Sequence, residues 1–147
     1  SAGAHLVALV NASPDLGPAA GALPWLGTVS LDSGAINVPE LMQRRHLPLY
    51  DAAFGADPAY WVAASPYDQL VGHRPPILLV CAEDRASSCP YNQQYALKAT
   101  RLRERAQVLQ QRLTHGEINA MLGLPGAYTD AVDAFLRTLD PAVAARL

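Results

Sequence analysis

Three residues of this chain combine side chains and placements suited to nucleophilic catalysis: Ser1, Asp84 and His115. A serine hydroxyl is a weak nucleophile until a base takes its proton. His115 is the candidate base, and afterwards the acid that protonates a leaving group. Asp84 is the candidate acid that fixes the imidazole tautomer and stabilises the imidazolium. Ser1 precedes an apolar run, Leu6 to Val10, that begins a helix. Free N–H groups and the dipole at a helix N-terminus favour developing negative charge, so the Ala2 N–H is a candidate oxyanion donor. Taken alone, Ser1 reads rather as a plain N-cap. Asp32 is a rival acid, because it too ends a strand pattern; Asp84 is preferred because the strand before it is the more apolar one. His5 reads as packing on the first helix, and His46 and His73 as surface residues. Glu83 and Glu117 flank the candidates and read as exposed charge.

The elements that must position these groups alternate between strand and helix. Ala2 to Val10 reads as a helix with almost no polar face, expected to be buried against a sheet and stopped by Asn11, Ser13 and Pro14. Residues 14–25 read as a loop and Leu26–Leu31 as a short strand closed by Asp32-Ser33-Gly34. Residues 35–75 hold five prolines and no strand pattern, with short helical stretches near Val38–Arg44 and Pro58–Ala64. They read as an irregular, cap-like excursion whose Tyr50, Phe54, Tyr60 and Trp61 could wall a pocket or simply pack on the sheet. Ile77–Ala82 is the clearest strand: short, continuously apolar, suited to a parallel sheet covered on both faces. Asn92–Ala106 reads as a helix, Gln107–Leu113 as an edge strand with one wetter face, and Tyr128–Leu139 as an amphipathic helix. This order implies an α/β fold with a parallel sheet and helices on both faces, in one domain over residues 1–147. In such a sheet the carboxyl ends of the strands line the site, so residues remote in sequence can meet there.

Composition narrows the function classes. Half of the 147 residues are hydrophobic, 16% are charged, and the net charge is −2. The low charged fraction implies much buried surface or a large interface. Without a basic block, nucleic-acid binding has no support. No apolar run approaches the roughly 18 residues that span a bilayer. Cys81 and Cys89 do not have a metal-site spacing; a small disulfide loop is open to them, but two free thiols are expected. No cofactor or metal is called for.

The order serine, aspartate, histidine resembles that of the α/β-hydrolases. Ser1-Ala2-Gly3-Ala4-His5-Leu6 resembles the downstream half of their G-x-S-x-G nucleophile elbow, in the esterase/lipase branch that includes carboxylesterase-, feruloyl-esterase- and kynurenine-formamidase-like members. Pro75 to Asp84 resembles that branch's strand leading to the acid, and Thr114-His115-Gly116 its histidine loop. The resemblance implies the C-terminal half of the fold, beginning at the nucleophile, with Ser1, Asp84 and His115 as the triad. It implies a serine hydrolase that cleaves a small-molecule carboxylic ester through an acyl-enzyme, without a cofactor. The elbow's first glycine and the Gly-rich oxyanion loop are absent from this sequence. A complementary chain carrying the upstream sequence is therefore expected as partner, supplying the second oxyanion donor. The alternatives are an aryl-formamidase, a lipase, an N-terminal-nucleophile hydrolase using the Ser1 amine, and a binding module without catalysis.

Overall fold

The structure, a computed structural model, describes residues 1–147. Its elements run α1 (Ala2–Ala12), α2 (Leu16–Ala19), β1 (Thr28–Leu31), α3 (Val38–Met42), α4 (Pro48–Phe54), α5 (Pro58–Ala63), α6 (Pro66–Gln69), β2 (Ile77–Ala82), α7 (Cys89–Arg101), β3 (Ala106–Gln111), α8 (His115–Ala120), α9 (Ala127–Arg137) and α10 (Pro141–Ala144). The three strands form one parallel sheet in the order β1-β2-β3. The register pairs Leu31 with Val80 and Ala82 with Gln111, so all three strands end at the same edge.

β2 is central and buried at every position, which is why its sequence is apolar without alternation. Its side chains feed two cores. Ile77 and Leu79 join Ala8 and Ala12 of α1, Tyr95 and Ala99 of α7, and residues from 35–70 on one face. Leu78, Val80 and Ala82 join Ile118, Tyr128, Val132 and Phe135 of α8 and α9 on the other. β3 is only half-buried, matching its alternating sequence.

The prolines of residues 35–75 open helices rather than break them. Pro39, Pro48, Pro58 and Pro66 all occupy first-turn positions, where the missing N–H has no helical partner to lose. Asn37, Asp57 and Ser65 cap three of these turns, accepting from the N–H groups of Glu40, Ala59 and Asp68. Val38, Leu41, Met42, Phe54 and Leu70 then enter the same core as Leu79, so this stretch is more helical than its sequence suggests.

Two expectations are corrected. α1 is not buried all round: Ala4, Ala8, Asn11 and Ala12 face the sheet, whereas Leu6 is 57% and Val7 42% exposed. Small alanines let the helix approach β1 closely, and Ser30 Oγ donates to the Ala4 carbonyl at 3.0 Å. The apolar flank left outside joins Val10, Trp25 and Val29 around a trough of about 450 Å³ beside the unpaired edge of β1. The second correction concerns the cysteines, which are not free thiols: Cys81 at the end of β2 is disulfide-bonded to Cys89 at the start of α7. Both are buried, and the bond closes the short loop that carries residues 83–88. No helix is long and apolar enough to cross a membrane.

The two-sided burial of β2 sets the stability hierarchy. Leu79→Ala should cost about 2 to 5 kcal/mol, the range for emptying a packed leucine site. Gln110→Ala, on an exposed β3 position, should stay within about 0.5 kcal/mol of the parent. Urea unfolding followed by circular dichroism measures both; equal effects would contradict the layer assignment.

Candidate functional site

β1 and β2 end side by side, and the chain turns sharply after each. Asp32 directly follows β1 and has a φ of 58°. This left-handed conformation is uncommon for a residue with a side chain, though aspartate tolerates it better than most. Its N–H donates to the Val80 carbonyl at 2.9 Å, extending the β1–β2 pairing by one residue. The carboxylate is thereby folded under the edge of the sheet, where Asp32 is 0% exposed.

Four groups donate to that buried carboxylate. Oδ1 accepts from the Ala82 N–H at 2.9 Å and from Ser88 Oγ at 2.5 Å. Oδ2 accepts from Arg85 Nη1 at 2.6 Å and from His115 Nδ1 at 2.5 Å. Arg85 Nη1 also donates to the Asp32 carbonyl at 2.8 Å. Burial pushes the Asp32 carboxyl up, but the hydrogen bonds from Ser88, Ala82, Arg85 and His115 outweigh it and hold the group at about 2. The carboxylate is therefore ionised at neutral pH. An ionised Asp32 accepts only, so His115 carries its proton on Nδ1. Nε2 is left as a free acceptor, with no partner inside the protein. Arg85 Nη1 approaches Nδ1 to 3.0 Å, but both atoms are then donors. They converge on one carboxylate oxygen rather than bond to each other.

His115 is held from the other side by its own helix start. It is the first residue of α8, behind the N-cap Thr114. Thr114 Oγ1 accepts from the Glu117 N–H at 3.3 Å, and Glu117 Oε2 accepts from the Thr114 N–H at 2.8 Å. This capping box fixes the turn that presents the imidazole. Glu117 is thus a cap, not mere surface charge, and the Thr114 backbone and hydroxyl hydrogen bonds lower its carboxyl pKa. The T-x-x-E spacing announced it.

The carboxylate that contacts His115 is that of Asp32, not that of Asp84. Asp84 is exposed in the loop after β2, and its side chain makes no hydrogen bond to His115. From the last residue of β2 onward the chain presents Ala82 N–H, Arg85 and Ser88 to the Asp32 carboxylate; Asp84 itself turns outward. Asp32, the rival, meets His115. Glu83 pairs with Arg112 at 3.2 Å on the surface, an ion pair of little energetic consequence.

Ser1 is the N-cap of α1, and Ala2, as first helical residue, has an N–H without an intrahelical acceptor. Both line a cavity of about 270 Å³ together with Ser33, next to Asp32, and with Tyr50, Phe54 and Tyr60. Of the four aromatic residues, Tyr50, Phe54 and Tyr60 line this cavity, while Phe54, Tyr50 and Trp61 also pack in or against the core. No hydrogen bond joins Ser1 to His115. His5 Nε2 donates to the Ala64 carbonyl at 2.7 Å, and burial lowers its pKa. His46 sits against Asp51 and His73 is exposed. No group of three or more His, Cys, Asp or Glu side chains is arranged to hold a metal. Arg85 and Ser88 were not singled out in the sequence; an arginine in a turn and a serine before a helix carry no distinguishing local signal.

No protein-family model matches this chain, and no curated protein matches it. Among solved structures it is similar to a thermophilic esterase from the Planctomycetes species Thermogutta terrifontis. The TM-score is 0.66 and the identity 22%, over 92% of this chain and 51% of that one. The chain thus spans about half the length of that esterase. The likeness shows the fold: α/β, with a parallel sheet between helices, matching part of that esterase's structure.

The Asp32 carboxyl lies below its ordinary 3.8, so the stability it contributes is complete above about pH 4 and fades as the pH falls toward 2. The shift corresponds to about 2 kcal/mol. The stability difference between the parent and Asp32→Asn should therefore shrink by about that amount from pH 5 to pH 2, measured by urea unfolding. A difference constant with pH would show that Asp32 is not the stabilised anion described.

Proposed function

We propose that this chain carries the reacting residues of a serine hydrolase acting on carboxylic esters: Ser1 as nucleophile, His115 as base and Asp32 as acid. The observation that carries the reading is the buried, ionised Asp32 bonded to His115 Nδ1, which leaves Nε2 free at the sheet edge where α1 begins. His115 Nε2 would take the proton of Ser1 Oγ as Oγ attacks the ester carbonyl carbon. The Ala2 N–H would donate to the resulting oxyanion at a helix N-terminus. The imidazolium would then protonate the departing alcohol, leaving an acyl-serine. Water, activated by the same base, would release the acid. The lack of a Ser1–His115 hydrogen bond does not weigh against this, because such contacts are often loose without substrate.

The partner reading rests on a different observation. β1 has an unpaired edge, and Leu6, Val7, Val10 and Trp25 form an apolar trough beside it. Free edges of this kind invite pairing. The occupant we propose is a strand and helix of upstream sequence, which would add to the sheet and bring the second oxyanion donor. The half-length match to the esterase supports this.

Two measurements test these assignments. With any companion chain present, His115→Ala should abolish turnover of a short p-nitrophenyl ester. Asp32→Asn, which favours the wrong tautomer, should lower turnover by about 10²- to 10⁴-fold, whereas Asp84→Asn should change it less than about threefold. A large loss at Asp84 with little at Asp32 would restore the earlier assignment. Absence of labelling of Ser1 by a fluorophosphonate would support a binding module instead. For the partner, the chain prepared alone should self-associate in sedimentation, and Leu6→Gln with Val7→Gln should reduce this. A stable monomer from the parent chain would contradict the partner.

A further inference from the structure

Arg85 has a second face. Its Nη1 is spent on Asp32, but Nη2 makes no hydrogen bond within the protein. Gly34 is packed too closely to carry a side chain. A Cβ there would stand 2.7 Å from Ser87 Oγ, 3.2 Å from the Tyr50 hydroxyl and 3.5 Å from Arg85 Nη2. All three are donors, and none has a partner in the protein. They open into a cavity of about 400 Å³ whose rim carries Arg45 and His46. Arg45 has no carboxylate partner; His46 is held by Asp51 at 2.9 Å, and that hydrogen bond raises its pKa. No acidic side chain lines this cavity. Tyr50 is a wall shared with the apolar cavity that holds Ser1.

We propose that the cavity lined by Arg45, Tyr50, Arg85 and Ser87 is a carboxylate-binding subsite, so that the substrate is a half-ester of a dicarboxylic acid. The apolar stem would lie along the Ser1 cavity and the free carboxylate would pass Tyr50 to Arg85 Nη2, Ser87 Oγ and Arg45. Guanidinium and hydroxyl donors in a fixed arrangement suit a planar carboxylate. The ester end of this assignment rests on the hydrolase reading above; the anion subsite does not. A bare glycine is needed at position 34 because a Cβ there would crowd the Ser87 and Tyr50 hydroxyls out of place.

The test is calorimetric binding of monomethyl adipate against its neutral counterpart, dimethyl adipate, with the companion chain present if one is needed for solubility. The half-ester should bind about tenfold more tightly, as for a charge-assisted hydrogen-bonded contact. Gly34→Ala and Arg45→Gln should each remove most of that preference, and Arg45→Lys should retain part of it. Equal binding of the two compounds would overturn the proposal, as would a preference that survives both Gly34→Ala and Arg45→Gln. Turnover of the same compounds separates the two readings. Anion preference without hydrolysis keeps the subsite and removes the esterase; hydrolysis without preference does the reverse.

Discussion

A single buried carboxylate organises the carboxyl edge of this sheet. Asp32 lies at 0% exposure and is ionised, a state costly unless every lone pair is met. The donors come from four places: the end of β2, the loop after it, the start of α7 and the start of α8. Satisfying one anion therefore fixes the relative position of all four. The left-handed backbone at Asp32 is held by this network, not by local preference.

The disulfide serves the same end. Cys81 and Cys89 bracket the loop from which Arg85 and Ser88 reach Asp32. Closing a loop this short removes roughly 2 to 3 kcal/mol of unfolded-state entropy in the chain-entropy account. More to the point, it leaves Arg85 little freedom to withdraw from the carboxylate. Arg85 sits between two environments, the anion it neutralises and the open cavity over Gly34.

The sheet explains why the site lies where it does. Parallel strands paired in register end together, so a turn after β1, a loop after β2 and a helix after β3 converge without any long excursion. The cores above and below β2 hold that edge rigid. The flank of α1 is the exception. Its alanines bind it to β1, while Leu6 and Val7 remain outside beside an unpaired strand edge. The fold thus combines a buried carboxylate met by four donors at one end with an uncovered apolar face along one side.

The sequence by itself determined the fold class, because its signals are local. The unbroken apolar run of Ile77–Ala82, the alternation in Gln107–Leu113 and the amphipathic period after Tyr128 each state their own burial. It also singled out His115 and Ser1 as residues standing at element boundaries. It did not determine which carboxylate meets His115. Asp84 follows the more apolar strand, but the direction of a side chain after a strand depends on the turn there. That turn sends Asp84 to solvent and Arg85 inward, while Asp32 swings under the edge through an uncommon backbone angle. The pairing of Cys81 with Cys89, the gathering of Ser87, Tyr50 and Arg85 around Gly34, and the exposure of Leu6 likewise depend on neighbours distant in sequence. Only the tertiary structure decided these, because burial and hydrogen bonding at a sheet edge are properties of the converging segments together, not of any one of them.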